Sequence, residues 1–250
     1  MQAPASPLPL GPITRDAEFY PEPFRIQQLK VLLHLAEFTQ LCLVLDGPRG
    51  VGKSTLLSRF IVEIPENWRV CQMTANAAVS IADLRSALLG TCSIDGDTHG
   101  DEELLQHHLA GIRESDLVAL LIVDDAETLN NDALRQILTW ALPTEGGLHV
   151  LLCGTGVYTR LRNPLFSETA ATNLKLIELP AFTEEQTAEY AMHRLAAAGQ
   201  DAASALDDTR LRRVFRASHG LPGHINRELG MLVAPSEQPP TQRLVIFGAS

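Results

Sequence analysis

The sequence predicts an α/β fold: a parallel sheet with helices on both faces, followed by a small all-helical region. Three observations carry this. Five short β-branched or aliphatic runs, at 41–45, 69–73, 117–123, 148–153 and 174–179, alternate with helical patterns. The run 117–123 is continuously apolar, as expected of a central strand buried on both sides. After Pro180 the strand signal stops, and three helical patterns follow.

The elements follow in chain order. Residues 1–18 hold Pro4, Pro7, Pro9 and Pro12 among small residues and read as a flexible tail. Pro21-Glu22-Pro23-Phe24 reads as extended, because proline biases the residue before it away from helix. A helix is expected over 25–39, with Ile26, Leu29, Leu32, Leu33 and Ala36 on one face. Between the strands, helices are expected at 53–63, 81–89, 102–113, 132–142 and 157–161. Residues 19–180 thus form an α/β domain and 181–234 a helical one, with helices at 183–199, 209–218 and 222–233. Thr183 with Gln186 has the spacing of a capping box, Gly199 ends the first of these helices, and Pro222 starts the third. Residues 235–250 read as a tail or a stump, with a candidate strand at 242–247.

Composition narrows the function classes. The chain has 250 residues, 45% hydrophobic, enough for a full core. Its formal net charge of −10 argues against an unspecific nucleic-acid binder, which needs clustered cations. The densest basic cluster is Arg210, Arg212, Arg213 and Arg216, readable as a solvated helix face or as a local patch. Cys42, Cys71, Cys92 and Cys153 form no Cys-x-x-Cys pair, and they read as small buried hydrophobes in a reducing compartment. No signal-peptide pattern or membrane-length apolar run is present, so a cytoplasmic location is expected, with any membrane association made through a partner.

The chemistry concentrates at three strand ends. Gly47, Pro48, Arg49, Gly50, Val51, Gly52, Lys53 and Ser54 match the phosphate-loop pattern in full, with Thr55 following. Its glycines let the backbone wrap phosphate oxygens, Lys53 reaches the β and γ phosphates, and the Ser54 hydroxyl ligates magnesium. The run 41–45 before it and the helix after it supply the expected strand–loop–helix context. The pattern therefore implies a nucleoside triphosphate and Mg2+ as ligands. The aliphatics before Asp124 and Asp125 form the second element, a Walker B strand. Asp124 is the metal residue and Asp125 the base for the attacking water, with Glu127 nearby. In the third element, Thr155 follows the strand at 148–153 and is either a contact to the γ-phosphate or water, or part of a plain turn. Arg160 and Arg162 read as solvated charges or as arginine fingers toward a neighbouring subunit. His107 and His108 lack an acidic or cysteine partner at ligand spacing, and His193 and His219 read as surface or satisfied residues.

On these motifs the chain resembles the AAA+ ATPases of the ExeA/DamX type, bacterial proteins linked to secretion and cell division, with relatives that regulate transposition. The supporting segments are Pro21 onward into the first helix, Leu179-Pro180-Ala181-Phe182-Thr183 with Tyr190 and Gly199, and Ser218-His219-Gly220-Leu221-Pro222-Gly223-His224-Ile225-Asn226. The resemblance implies a P-loop NTPase AAA+ core with a five-stranded parallel sheet of order 5-1-4-3-2. A helical lid would close over the nucleotide, in a homo-oligomer or against a protein partner. It also implies that residues 23–26 flank the adenine and that ATP is the ligand in preference to GTP, with which the absence of the Asn-Lys-x-Asp guanine motif agrees. Three departures stand out: Asp125 where the family has Glu, Gly223 where relatives carry a sensor-2 Arg, and Asn173 where relatives carry an Arg. They leave two further readings beside a motor enzyme: a nucleotide-gated binding module with weak hydrolysis, and a DNA-linked regulator.

Overall fold

The computed structural model describes residues 20–92, 102–142, 148–163, 166, 173–200 and 206–233. The expectations for the two tails, including the strand at 242–247, lie outside these residues.

Strands β1 (Cys42–Asp46), β2 (Trp68–Thr74), β3 (Val118–Asp124), β4 (His149–Gly154) and β5 (Leu174–Glu178) form one sheet of order β2-β3-β4-β1-β5. Every pairing is parallel. Read from the other edge, this is the expected order 5-1-4-3-2. Helices α1 (Pro23–Phe38) and α2 (Lys53–Glu63) cover one face. Helices α3 (Ile81–Cys92), α4 (Glu102–Glu114), α5 (Asn131–Trp140) and α6 (Val157–Leu161) cover the other. In β3, Leu120 and Ile122 enter the α1–α2 core while Leu121 and Val123 enter the opposite core. Its continuous apolar run follows from that double burial.

Helix α1 begins two residues earlier than the prolines suggested. Glu22 is extended (φ −61°, ψ 129°), and its carboxylate accepts the Arg25 N–H at 2.8 Å as an N-cap. Pro23 falls in the first turn, where a missing N–H costs nothing. The extended reading of Pro21 to Phe24 therefore ends at Glu22.

The C-terminal region consists of α7 (Glu184–Ala197), α8 (Asp208–Ser218) and α9 (Pro222–Val233). The capping box forms: Thr183 Oγ1 accepts the Gln186 N–H, and Gln186 Oε1 accepts the Thr183 N–H at 2.9 Å. These helices have a core of their own, built on Phe182, Tyr190, Ala191, Leu195, Leu206, Val214, Ile225 and Leu229, with Tyr20 packed against it. The strands and helices thereby bring the P-loop, the end of β3, the end of β4 and the start of α9 to one edge.

Candidate functional site

The phosphate loop connects β1 to α2. Gly52 is the N-cap of α2, at φ +101°, and no side chain caps the helix there. The first-turn N–H groups are therefore left free for an anion, which the helix dipole also favours. Val51 is fully buried and anchors the loop, while Pro48, Arg49 and Gly50 are exposed. Gly47 is buried, and Thr55 half-buried.

Lys53 is only 8% exposed. Its Nζ donates to the carbonyl oxygens of Gly47 (2.8 Å) and Pro48 (3.2 Å) and to Thr155 Oγ1 (3.1 Å). Thr155 Oγ1 in turn donates to the Gly47 carbonyl at 2.9 Å. Thr155 is thus brought against the loop by β4, not left as a plain turn residue.

Ser54 Oγ donates to Asp124 Oδ2 at 2.8 Å. Ser54 follows β1 at the start of α2 and Asp124 ends β3, and β4 lies between these two strands in the sheet. A hydroxyl and a carboxylate, both hard oxygen donors, are the kind of pair that suits a magnesium ion with retained waters. Asp124 Oδ1 accepts the Asp125 N–H at 3.0 Å. Asp125 is exposed, and its backbone is left-handed, φ +54°. Glu127 turns elsewhere. Its carboxylate lies over Gly154, and Oε2 is buried without a partner. The Cys153 thiol, buried beside Asp124, is pushed up in pKa and stays protonated; burial likewise lifts Cys42 to about 12 and raises Cys71. The Cys92 side chain lies outside the described residues.

Two positions escaped the sequence reading. Asp46, the last residue of β1, accepts the Gly156 N–H (2.8 Å) and the Tyr158 N–H (3.0 Å), so it caps α6 and fixes the turn carrying Thr155. Arg25 of α1 lies 94% buried between the loop and the C-terminal region, its guanidinium 4.3 Å from the Phe182 ring centroid. An acid just before the loop was the available signal for Asp46. The resemblance set residues 23–26 beside the adenine, but no signal singled out Arg25 among them as a residue at the loop.

Arg160 Nε and Nη2 donate to Asn131 Oδ1, and Nη1 donates to the Glu127 carbonyl, so the side chain is bonded within its own chain in this structure. Arg162 lies over the Tyr158 ring. Gly223, at the sensor-2 place, packs on the loop: its N–H donates to the Gly50 carbonyl at 2.9 Å, and a Cβ there would sit 3.3 Å from Gly50 Cα. Asn173, the third departure, uses its carbonyl to accept the Cys42 N–H, pairing β1 with the chain entering β5. His108 bonds the Leu104 carbonyl within α4. Among the described residues, no helix is long and apolar enough to cross a membrane.

A family model described as AAA domain matches residues 36–162, just over half of the chain. The chain belongs to the AAA domain family. It is therefore a nucleotide-binding AAA+ protein of the P-loop NTPase superfamily; the ExeA/DamX subtype is a finer statement than this match carries. Solved AAA+ structures share the fold at low identity. The Walker-type ATPase paby2304 of Pyrococcus abyssi superposes with TM-score 0.60 at 17% identity, covering 87% of this chain and 68% of that one. The ORC2 protein of Aeropyrum pernix, solved in ADPNP–ADP complexes, gives 0.57 at 14%, covering 88% and 66%. The CDC6P protein of Pyrobaculum aerophilum gives 0.58 at 19%, covering 88% and 64%. The AAA+ chain spans about two thirds of the length of these structures. A comparison with curated proteins found no match.

Proposed function

We propose that this AAA+ protein binds and hydrolyses ATP with magnesium, and that its C-terminal helices act as a lid reporting the nucleotide state to a protein partner or to further copies of itself. The observation that carries the reading is the Ser54–Asp124 hydrogen bond, which closes the loop onto the end of β3 beside Lys53.

In this reading the backbone N–H groups from Arg49 to Thr55 wrap the phosphates, with Gly47, Pro48, Arg49, Gly50, Val51 and Gly52 forming the curve. Lys53 exchanges its carbonyl partners for β- and γ-phosphate oxygens. Ser54 and Asp124 hold the magnesium, which neutralises the phosphate charge when bound. Asp125 takes a proton from water as the water oxygen bonds the γ-phosphorus and the bond to the β–γ bridging oxygen breaks, leaving ADP and phosphate. Thr155, fixed against Lys53, orients the γ end. The resemblance to secretion and division ATPases supports a role in bacterial secretion, cell division or envelope assembly.

A second reading, a nucleotide-gated module with weak turnover, is favoured by Gly223, which packs on Gly50 and brings no cation from the lid to the γ-phosphate. The deciding experiment is steady-state ATP turnover with magnesium, wild type beside Lys53→Ala, with binding measured on the same samples. The expected outcome is binding and turnover by wild type, with both reduced by at least about 100-fold in Lys53→Ala. Tight binding by a wild type that shows no turnover even when concentrated would replace the enzyme with the gated module. Absence of binding by wild type would end both readings.

A further inference from the structure

Arg25 is 6% exposed, and burying a guanidinium normally requires a paired carboxylate and acceptors for its five N–H groups. Here those needs go largely unmet. Nε has no hydrogen-bond partner, and Nη2 makes one long bond, 3.4 Å, to the Pro180 carbonyl. Glu22, the carboxylate that acts on it, is itself 4% exposed and already engaged. Its Oε2 accepts the Arg25 backbone N–H at 2.8 Å, and its Oε1 accepts the Gln186 amide at 2.9 Å. Burial lowers the Arg25 pKa to about 10, which still leaves a full charge at neutral pH.

The direction of that charge is informative. A Cβ on Gly52 would sit 3.1 Å from Arg25 Nη1. Gly52 is the residue before Lys53 and the N-cap of the helix whose free N–H groups face an anion. The Phe182 ring holds the guanidinium from the far side, at 4.3 Å. Meanwhile α9 brings Gly223, without a side chain, onto Gly50. A preorganised, under-satisfied cation therefore stands against the loop on the side of α1 and the segment leading to α7.

We infer that Arg25 is a nucleotide ligand whose guanidinium donates to phosphate oxygens of the bound nucleotide. The inference rests on the nucleotide-binding reading of the loop and adds to it a residue from α1. Because the same side chain contacts Pro180 and Phe182, occupation of the phosphate site is transmitted to the base of the C-terminal helices through one residue.

The test is competition binding of ATP and of inorganic triphosphate, which has the phosphate chain without base or ribose. Proteins are wild type, Arg25→Met, which keeps the apolar stem on Phe182, and Arg25→Lys, which keeps the charge, each checked for folding by thermal melt. Arg25→Met is expected to weaken both ligands about tenfold or more, by a common factor, and Arg25→Lys to recover much of the loss. Should Arg25→Met not fold, Arg25→Gln takes its place with the same expectation. Unchanged ATP affinity in the neutral variants overturns the inference. So does a loss for ATP that spares triphosphate, which would assign Arg25 to the base or ribose. A wild type that binds neither ligand brings down the loop reading itself, an outcome distinct from a wild type that binds and an Arg25→Met that binds equally well.

Discussion

Asp125 sits where β3 ends, with its backbone fixed from both sides. Asp124 Oδ1 accepts its N–H, and its carbonyl accepts the Thr128 hydroxyl at 2.8 Å and the Thr128 N–H at 3.0 Å. A left-handed aspartate is tolerated, and such outliers held by their surroundings cluster at working sites. The exposed carboxylate is therefore free to meet a water, while the backbone cannot drift. Asp125→Ala is expected to lower ATP turnover about 100-fold or more while leaving nucleotide affinity within about threefold, as the loss of a general base alone would. Turnover and affinity measured in parallel decide it: a matching fall in affinity would move Asp125 into the binding set. Asp46 acts differently, through the two N–H groups it accepts at the start of α6. Asp46→Ala should cost about 1–2 kcal/mol of stability, read as a lower midpoint in urea, because an N-terminal helix partner is lost. A midpoint equal to wild type would mean that water replaces the carboxylate without penalty.

At the scale of elements, β3 organises the molecule. Leu121 is fully buried among side chains of the α3–α6 layer, while its neighbours Leu120 and Ile122 fill the α1–α2 layer. Leu121→Ala should destabilise by about 2–5 kcal/mol, since a cavity in a strand packed on both faces cannot collapse from either side. Equilibrium denaturation would show it, and a loss below about 1 kcal/mol would mean that one helical layer settles into the space. This strand was legible in the sequence because double burial writes an unbroken apolar run. The helices Lys53–Glu63, Val157–Leu161 and Pro222–Val233 were legible to their end residues, since glycine or proline punctuates each start. The phosphate loop was legible because its glycines are required by backbone geometry, not by a distant partner. The start of α1 was not, because proline is compatible both with an extended segment and with a first helical turn, and the Glu22 cap decides between them. The segment holding Arg25 was set beside the adenine only by resemblance, and the individual contacts of Arg25 and Asp46 were illegible for a more general reason. Their partners lie 155 and 110 residues away, so only the tertiary fold reveals what they do.

At the scale of the whole molecule, charge is distributed unevenly. The chain carries −10, yet Arg212, Arg213 and Arg216 line one open groove on α8 with Thr209 and Ala217. Arg212 lies 3.7 Å from Glu184, so part of that charge is answered within the C-terminal region. A few arginines against an acidic background neutralise few phosphates. Binding to a short DNA duplex is therefore expected to be weak at low salt and lost by about 0.2 M, with fluorescence anisotropy as the readout. Tight, salt-resistant binding would instead make α8 a nucleic-acid surface and revive the DNA-linked reading. The sheet order has a consequence for how the protein comes into being. Among the strands of the described residues, β1 is made first, but its pairing partners are β4 and β5, the two made last. Closing such distant pairings is slow, because the entropy of the long intervening chain must be overcome first. The loop that follows β1 is thus synthesised early and given its anchor late. A small-molecule ligand held by that loop can brake the unfolding of the finished protein, but it has nothing to grip in a half-made one.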